Sequence, residues 1–444
     1  MREIYKFQGE ELRDYIQEPN NIQYIKIPCV LKALDTLKTV KPQDCPILTI
    51  VGLDKAVNSE VSHYIINELQ QYENTLLVEL DNTPIKSKEL QEIIEMKLVE
   101  IQHIFIDNIT YTQDLVNNIS KIYDIARQKR VNIVFLTSNK VSLSLAVKNN
   151  KHCPIEIIDT DKIYYRIHQE LFHSNLFDYI LHPSLDQNNI ILADRHLSNF
   201  IYTMVKDNIQ QDIYHHNRAK LVDTISRNRL CTLISNLLHA MVYMKAHGKT
   251  IKNLDDLLNT KLLSQNTSIG ELDAIIEFLA AIGLILKIGI GIEGSFLTRY
   301  YVTNPSIVNY IENLYAGKSG VNSSIYSVTV ENLLVTHLYN MSKDLRYSMY
   351  IEGGINNLVF VLERRTGTIW APVFVRLLIT IGEKLSINKE SQTELTLSNL
   401  VITDKPTLIL DNGNIQKINI IEFMRNTEEW LKPLANYEGS TMKK

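Results

Sequence analysis

Residues 52–59 have the spacing of a phosphate-binding loop but lack the residues that such a loop uses. The working pattern is G-x-x-x-x-G-K-[ST], in which backbone N–H groups hold phosphates, the lysine reaches the β and γ phosphates and the hydroxyl binds Mg²⁺. Gly52 and Ser59 fit this pattern, whereas Val57 replaces the second glycine and Asn58 replaces the lysine. A valine tolerates positive φ badly, and an amide offers only a dipole in place of a positive charge. The spacing therefore predicts the architecture of the loop without its chemistry.

Asp107 is a second candidate site residue, because it ends the apolar segment His103–Asp107. A nucleotide-hydrolysing enzyme would hold Mg²⁺ with such an aspartate and would activate water with a glutamate directly after it. Here Asn108 follows, and an amide cannot act as a general base because it has no titratable proton near neutral pH. Taken alone, Asp107 fits a strand-end cap or turn better than a ligand. Because it falls at the expected motif position relative to Gly52 and Ser59, the two interpretations become about equally well supported.

Short apolar segments alternate with amphipathic helical patterns between Ile47 and Thr137. This order predicts a parallel sheet covered by helices on both faces. In such sheets ligands bind beyond the carboxyl ends of the strands, which is where Gly52, Asp107 and Thr137 fall. Residues 1–45 are interpreted as an N-terminal extension that precedes the first strand, and we find no chemistry in them.

Composition limits the remaining classes of function. A chain of 444 residues is too long for one hydrophobic core, so we expect two or three domains. Hydrophobic residues at 45% and charged residues at 22% are ordinary for a soluble globular protein. The formal charge of -4 excludes a uniformly basic surface, so any contact with nucleic acid must be local.

The cysteines and the termini indicate a cytoplasmic protein. The 4 cysteines lack C-x-x-C spacing, which fits reduced thiols better than disulfides or a zinc site, and no other metal site is expected. Residues 1–15 are too charged for a signal peptide. The longest apolar stretch, residues 272–286, is interrupted by Asp273 and Glu277 and is too short to span a bilayer.

Three segments, residues 52–59, 104–109 and 134–139, together resemble the nucleotide motifs of a family of prokaryotic AAA+-type P-loop ATPases. Members of that family carry a winged-helix region and a C-terminal domain of restriction-endonuclease-like fold, and the resemblance implies both here. The third motif normally reads Leu-Thr-Gly-Ser-Ser, and Ser138 replaces its glycine. The family's following Gly-Arg pair has no counterpart in residues 147–152, so no arginine finger is evident.

Residues 251–303 are interpreted as the winged helix, with a capping box at Ser268 and Glu271 that marks where its second helix begins. The first turns of a DNA-reading helix enter the major groove. Here they carry Glu271, Asp273 and Glu277, and carboxylates are repelled by phosphates. The segment therefore resembles a domain connector or a protein-contact module more than a base reader.

A local basic excess in residues 217–252 could bind a phosphate backbone. The favoured alternative is a solvated helix face that pairs with acids elsewhere. The nucleic-acid candidates in this stretch are Arg218, Lys220, Arg227, Arg229, Lys245 and Lys249.

The resemblance also implies that the nuclease site of the C-terminal domain has lost its chemistry. A nuclease of that fold holds Mg²⁺ with an aspartate and a glutamate on neighbouring strands, and a lysine orients the water. In the matching segments Val359 replaces the aspartate, Phe374 the glutamate and Arg376 the lysine. Valine and phenylalanine cannot ligate a metal.

We therefore expect an α/β protein with four parts. These are the N-terminal extension (1–45), a degenerate AAA+-type P-loop core with a parallel sheet (46–165), a helical and winged-helix region (166–305) and a restriction-endonuclease-like α/β domain without metal ligands (306–444).

The predicted function is that of a non-catalytic pseudo-ATPase and pseudo-nuclease, an interaction or scaffold protein with no required cofactor, whose partner is a protein or a nucleic acid. Gly52, Asn58, Ser59 and Asp107 would be its vestigial nucleotide site. The alternative is an ATP-binding protein or weak ATPase that uses ATP and Mg²⁺, with Lys55 or a partner subunit supplying the missing charge.

Overall fold

A computed structural model of the chain describes residues 4–16, 28–42, 44–53, 55–80, 85–95, 101–110, 112–161, 168–169, 176–181, 191, 193–208, 226–246, 251, 253–263, 267–292, 295–315, 326–344, 347–352, 358–364, 375–380, 399–403, 408–409, 415–427 and 429. Among these residues no helix is both long enough and apolar enough to cross a membrane.

The first sheet contains the predicted parallel strands. Its strands are β1 (Ile4–Gln8), β2 (Ile47–Val51), β3 (Thr75–Leu80), β4 (His103–Asp107), β5 (Asn132–Thr137) and β6 (Ile155–Asp159). Their spatial order is β1-β3-β4-β5-β2-β6. All neighbours are parallel except β1, which pairs antiparallel with β3. The N-terminal extension thus supplies an edge strand to this sheet.

Helices cover both faces of this sheet. On one face lie α1 (Gly9–Tyr15), α2 (Pro28–Thr39) and α3 (Lys55–Leu69); on the other lie α4 (Ser87–Glu95), α5 (Gln113–Lys129) and α6 (Lys140–Asn149). Strand β2 is buried throughout, with Leu48 and Ile50 packed on the α1–α3 face and Ile47 and Val51 on the α4–α6 face. Apolar side chains on both sides of a strand are expected for a sheet covered twice. This is the mixed α/β architecture with a parallel sheet that the alternation of strands and helices predicted.

A helical region follows, and its hydrophobic core also includes Val141 of α6 and Val328 of the helix Tyr326–Asp344. Its elements are α7 (Leu176–Leu181), α8 (Asp194–Asn208), α9 (Arg227–Ala246), α10 (Leu254–Leu258), α11 (Ile269–Ala281), β7 (Ile285–Ile292), β8 (Ser295–Val302) and α12 (Pro305–Tyr315). The predicted capping box is confirmed, because Ser268 accepts from the Glu271 N–H and Glu271 accepts from the Ser268 N–H. Strands β7 and β8 pair as an antiparallel hairpin.

The C-terminal part combines a long helix with a second sheet. Its elements are α13 (Tyr326–Asp344), β9 (Tyr347–Glu352), β10 (Leu358–Arg364), β11 (Val375–Thr380), β12 (Asn399–Thr403), β13 (Leu408–Ile409), β14 (Ile415–Asn419) and α14 (Ile420–Arg425). The sheet order is β13-β14-β12-β11-β10-β9-β7-β8, so the hairpin of the helical region continues into it. Val359 lies on β10 opposite Leu378, and Arg376 lies on β11, whereas Phe374 is outside the described residues.

Glu312 joins α12 to α13 from a buried position. Its carboxylate accepts hydrogen bonds from the N–H groups of Val328 and Thr329, at 3.3 and 3.0 Å, and from the Thr329 hydroxyl at 2.6 Å. Only 1% of Glu312 is exposed. Burial raises the pKa of this carboxyl from 4.5 to about 7, against the lowering effect of the three donors. The two helices are therefore linked through a carboxyl group whose pKa is higher in the folded protein than in the unfolded chain.

We expect this group to make stability fall with rising pH. Because the folded-state pKa is above the unfolded value, the folded protein binds more protons between pH 4.5 and pH 7. Stability from Glu312 is then fully present below pH 4.5 and is lost as the pH rises through 7. The loss amounts to about 3 kcal/mol at most.

Urea unfolding of the wild type and of Glu312→Gln at pH 5 and pH 8 measures this effect, since the variant lacks the titrating group and should show a smaller pH dependence. Glu92→Gln, which removes an exposed carboxylate from α4, is the matched control. Equal pH dependence in the wild type and in Glu312→Gln would contradict the assignment.

Candidate functional site

The candidate site lies at the carboxyl end of the first sheet, where β2 leads into α3. Helix α3 begins at Lys55. Val57 and Asn58 therefore lie in its first turn, and both are buried. In the working pattern, the corresponding positions stand where the phosphate-binding loop runs into its helix.

Asn58 replaces the lysine and connects three strands. Its side-chain amide donates to the carbonyl oxygens of Gly52 and Thr137, each at 3.1 Å. Its Oδ1 accepts from the hydroxyl of Thr160 at 2.8 Å. These partners follow or end β2, β5 and β6, and 2% of Asn58 is exposed. An asparagine satisfies such a site because it offers two donor hydrogens and an acceptor. A lysine offers donors only.

Gly52 is required by close packing. A Cβ atom at this position would lie 1.9 Å from the Thr160 hydroxyl oxygen and 2.9 Å from Asn58 Oδ1. The glycine that fits the phosphate-loop pattern thus serves here to admit two protein side chains.

The backbone N–H after Gly52 is bound by a protein carboxylate. Leu53 N donates to Asp161 Oδ1 and Oδ2, at 3.2 and 3.0 Å. Lys140 contacts the same carboxylate at 2.6 Å and Asp159 at 3.0 Å. Burial alone would lower the pKa of Lys140, but the two aspartates outweigh it and raise that pKa. A negative group therefore already faces the amide, with its own counter-ion beside it.

Ser59 and Asp107 are brought together, as their motif positions predict. The Ser59 hydroxyl donates to Asp107 Oδ2 at 2.7 Å, and the Asn108 N–H donates to Asp107 Oδ1 at 2.6 Å. Burial raises the pKa of the Asp107 carboxyl, and the two hydrogen bonds oppose this shift. Asn108 has φ of 59°, a left-handed conformation that asparagine adopts more readily than most residues. Its amide also donates to the Leu80 carbonyl at 3.2 Å.

The helical region closes over the same end of the sheet. Lys55 pairs with Asp207 at 3.3 Å, and the Lys140 N–H donates to Asn208 Oδ1 at 3.2 Å. Both partners end α8. The Leu53 side chain packs against the hydrophobic core of the helical region. Protein contacts thus join the two regions at the crevice between them.

The residues present do not fit a nucleoside triphosphate with Mg²⁺. The space above Gly52 holds Thr160 and Asn58, and the Leu53 amide is bound by Asp161. A phosphate entering there would meet the Asp161 carboxylate, whose counter-ion is Lys140.

Four of these groups were not singled out by sequence reasoning: Thr160, Asp161, Asp159 and Lys140. A signal was present, since Asp159 ends an apolar strand pattern that Thr160 and Asp161 follow, and Lys140 follows the third motif.

The predicted basic residues do not form one cluster among the described positions. Arg227 is exposed at the start of α9, whereas Arg229 pairs with Glu271 at 2.8 Å. Lys245 pairs with Glu331 at 3.3 Å, lies 3.5 Å from the ring centre of Tyr301, and has its pKa lowered to about 8 by burial. Arg218, Lys220 and Lys249 lie outside the described residues.

We expect Asn58→Asp to destabilise the fold strongly at neutral pH. The substitution keeps the shape but replaces two donors with a carboxylate oxygen that faces two carbonyl groups. The expected loss is about 3 kcal/mol or more, measured by urea unfolding. Asn228→Asp, on the exposed start of α9, is the matched control and should change stability by less than about 0.5 kcal/mol. Equal stabilities of the two variants would show that the Asn58 amide does not hold the strands.

Comparisons with solved structures give weak similarities, including two to Aeropyrum pernix proteins. No protein-family model matches the chain, and no curated protein matches it. The Aeropyrum pernix ORC1 protein, solved in complex with DNA, is 11% identical, with coverage of 68% of this chain and 94% of that chain and a TM-score of 0.27. The Aeropyrum pernix ORC2 protein, solved as ADPNP-ADP complexes, is 8% identical, with coverage of 69% and 98% and a TM-score of 0.31. At these values neither similarity bears on the function of this chain.

Proposed function

We propose that this chain is a non-catalytic interaction or scaffold protein built on a P-loop ATPase-like fold, with a protein as its partner. The observation that carries this proposal is the occupied amide of Leu53, which binds Asp161 where a phosphate-binding loop would face its ligand. The Asp161 carboxylate already accepts the hydrogen bond of this amide, and Lys140 is its counter-ion. An anionic ligand is therefore not attracted to the amide.

The contacts that join the sheet and the helical region across the crevice support the same proposal. In enzymes of hinged architecture, closure of one region over another is driven by the ligand between them. Here the Lys55–Asp207 pair and the packing of Leu53 link the regions through protein groups. A conformation held in this way presents constant surfaces to a partner, which suits a scaffold better than an ATP-driven cycle.

The domain assignments after residue 165 belong to the proposal as well. Helices α10 and α11 with the hairpin β7–β8 have the order of a winged helix, and β9–β12 would be the core of the nuclease-like domain. With Val359 on β10 and Arg376 on β11, neither position supplies a carboxylate for a metal. We therefore propose a pseudo-nuclease in addition to a pseudo-ATPase.

Calorimetry with ATP and Mg²⁺ tests the absence of a working nucleotide site. We expect no binding heat at ATP concentrations up to about 1 mM and no phosphate release. The reason is that binding would have to break the Leu53–Asp161 and Asn58 hydrogen bonds.

Asp107→Ala separates the proposal from the alternative of an ATP-binding protein. Micromolar binding by the wild type that is lost in Asp107→Ala would overturn the proposal, because Ser59 and Asp107 are the pair that could still meet a metal-bound nucleotide. Heat that is unchanged in Asp107→Ala would instead come from binding elsewhere.

A second candidate function is contact with nucleic acid through residues 217–252. The observation in its favour is the exposed start of α9, which carries Arg227 and Arg229. The ion pair of Arg229 with Glu271 reduces the available charge there.

Titration of a labelled DNA duplex at two salt concentrations tests this candidate. Two or three phosphate contacts would make affinity fall by about ten- to fortyfold between roughly 50 and 200 mM salt. At the same salt concentration, Arg227→Glu should bind the duplex more weakly than the wild type does. Lys245→Met is the matched control, because this lysine is engaged with Glu331 and Tyr301 and should not affect DNA affinity. Binding that is absent or independent of salt removes the candidate.

A further inference from the structure

Lys140 contacts both of the regions that meet at the crevice. Its backbone N–H donates to Asn208 Oδ1 at 3.2 Å, and Asn208 is the last residue of α8 in the helical region. Its ammonium group contacts Asp161 at 2.6 Å, shortly after the end of β6 in the first sheet. Lys140 is also the first residue of α6, so the helix that follows fixes its backbone. One residue thus connects the end of α8 to the end of β6.

The Asp161 carboxylate leads back to the helical region through Leu53. Asp161 accepts the Leu53 N–H at 3.0 Å, and the Leu53 side chain packs against the hydrophobic core of the helical region. That core contains residues of α8, namely Leu197, Ile201, Met204 and Val205. The Asn208 amide in turn donates to the Met204 carbonyl at 3.1 Å. These contacts form a closed ring that crosses between the two regions twice, at Asn208 and at Leu53.

The crossing at Asn208 is shielded from water. Asn208 is 1% exposed, and the Lys140 side chain is 13% exposed. Val141, next to Lys140, belongs to the same core that Leu53 contacts. Separation of the regions would expose these apolar side chains and would take the Lys140 N–H away from its acceptor. Both crossings therefore oppose opening of the crevice.

The neighbouring ion pair makes a weaker contribution to closure. Lys55 pairs with Asp207 at 3.3 Å, but 41% of the Lys55 side chain is exposed. Water and salt screen a pair with an exposed member, so such a pair adds little to stability. The ring through Lys140 is therefore the stronger connection between the regions.

We propose that Leu53, Lys140, Asp161 and Asn208 form a clasp that keeps the crevice closed without a ligand and opens as one unit. Packed interfaces change between discrete arrangements and do not deform continuously, so release at Asn208 also releases the crossing at Leu53. The segments that follow β2 and β5 then open together. This inference goes beyond the interaction function proposed above, because it states what controls access to the crevice.

Asn208→Ala tests the clasp at a distance from the substitution. The change removes the acceptor of the Lys140 N–H, whereas the readout is the Leu53 N–H, which bonds to Asp161. Hydrogen exchange of the full chain, resolved to single amides by mass spectrometry, should be at least about tenfold faster at Leu53 than in the wild type. Asn199→Ala, exposed on the same helix, is the matched control and should stay within about twofold. An unchanged rate at Leu53 in Asn208→Ala overturns the proposal.

Leu53→Ala provides the reciprocal test, because a coupling free energy between two sites acts equally in both directions. This variant keeps the backbone N–H that Asp161 binds and loses side-chain packing against the helical region. We expect the Lys140 N–H to exchange at least about tenfold faster than in the wild type. Leu31→Ala, at a leucine that is 45% exposed on α2, is the matched control. Acceleration in one direction only would show two separate local contacts and would contradict the clasp.

Strand β4 separates opening of the crevice from general loss of stability. Phe105, which is 0% exposed in β4, should keep its wild-type exchange rate in both variants, because the sheet stays folded when the clasp opens. Equal acceleration at Phe105 and at Leu53 would come from global unfolding and would overturn the proposal. The exchange results are distinct from the calorimetry with ATP: binding heat would refute the non-catalytic function, whereas an unchanged exchange pattern would refute only the clasp.

Discussion

The amide of Asn58 is the interaction on which the carboxyl end of the first sheet depends. It bonds to Gly52, Thr137 and Thr160, which belong to the ends of three neighbouring strands. A buried amide with all these partners is stabilising, whereas the same group without them would cost more than it contributes. The asparagine that stands where the phosphate-loop pattern has its lysine therefore supplies a structural connection.

The other substitutions at this end follow the same physical pattern. Asn108, in place of a catalytic acid, takes a positive φ and bonds to Leu80. Asp161 binds the amide that would meet an anion, and Lys140 balances Asp161. The Leu53 N–H, the Asn58 amide and the Asp107 carboxylate each have a hydrogen-bond partner within the chain. Such partners lower the cost of burying these groups without a ligand.

Stability without a ligand has consequences for the rest of the molecule. The Lys55–Asp207 pair and the packed Leu53 hold the helical region against the sheet, and β7 carries that region on into the second sheet. Contacts of this kind favour one arrangement of the parts.

The sequence by itself determined the alternation of strands and helices, the capping box at Ser268, and the approach of Ser59 to Asp107, because these depend on local periodicity and on motif spacing. It also showed that the residues of the working motifs are replaced at Val57, Asn58 and Asn108. Only the tertiary structure decided what takes their place. Asp161 reaches Leu53 across 108 positions of the chain, and Thr160 reaches Asn58 across 102. Strand order sets such contacts, and strand order depends on packing between distant segments, which no local pattern encodes.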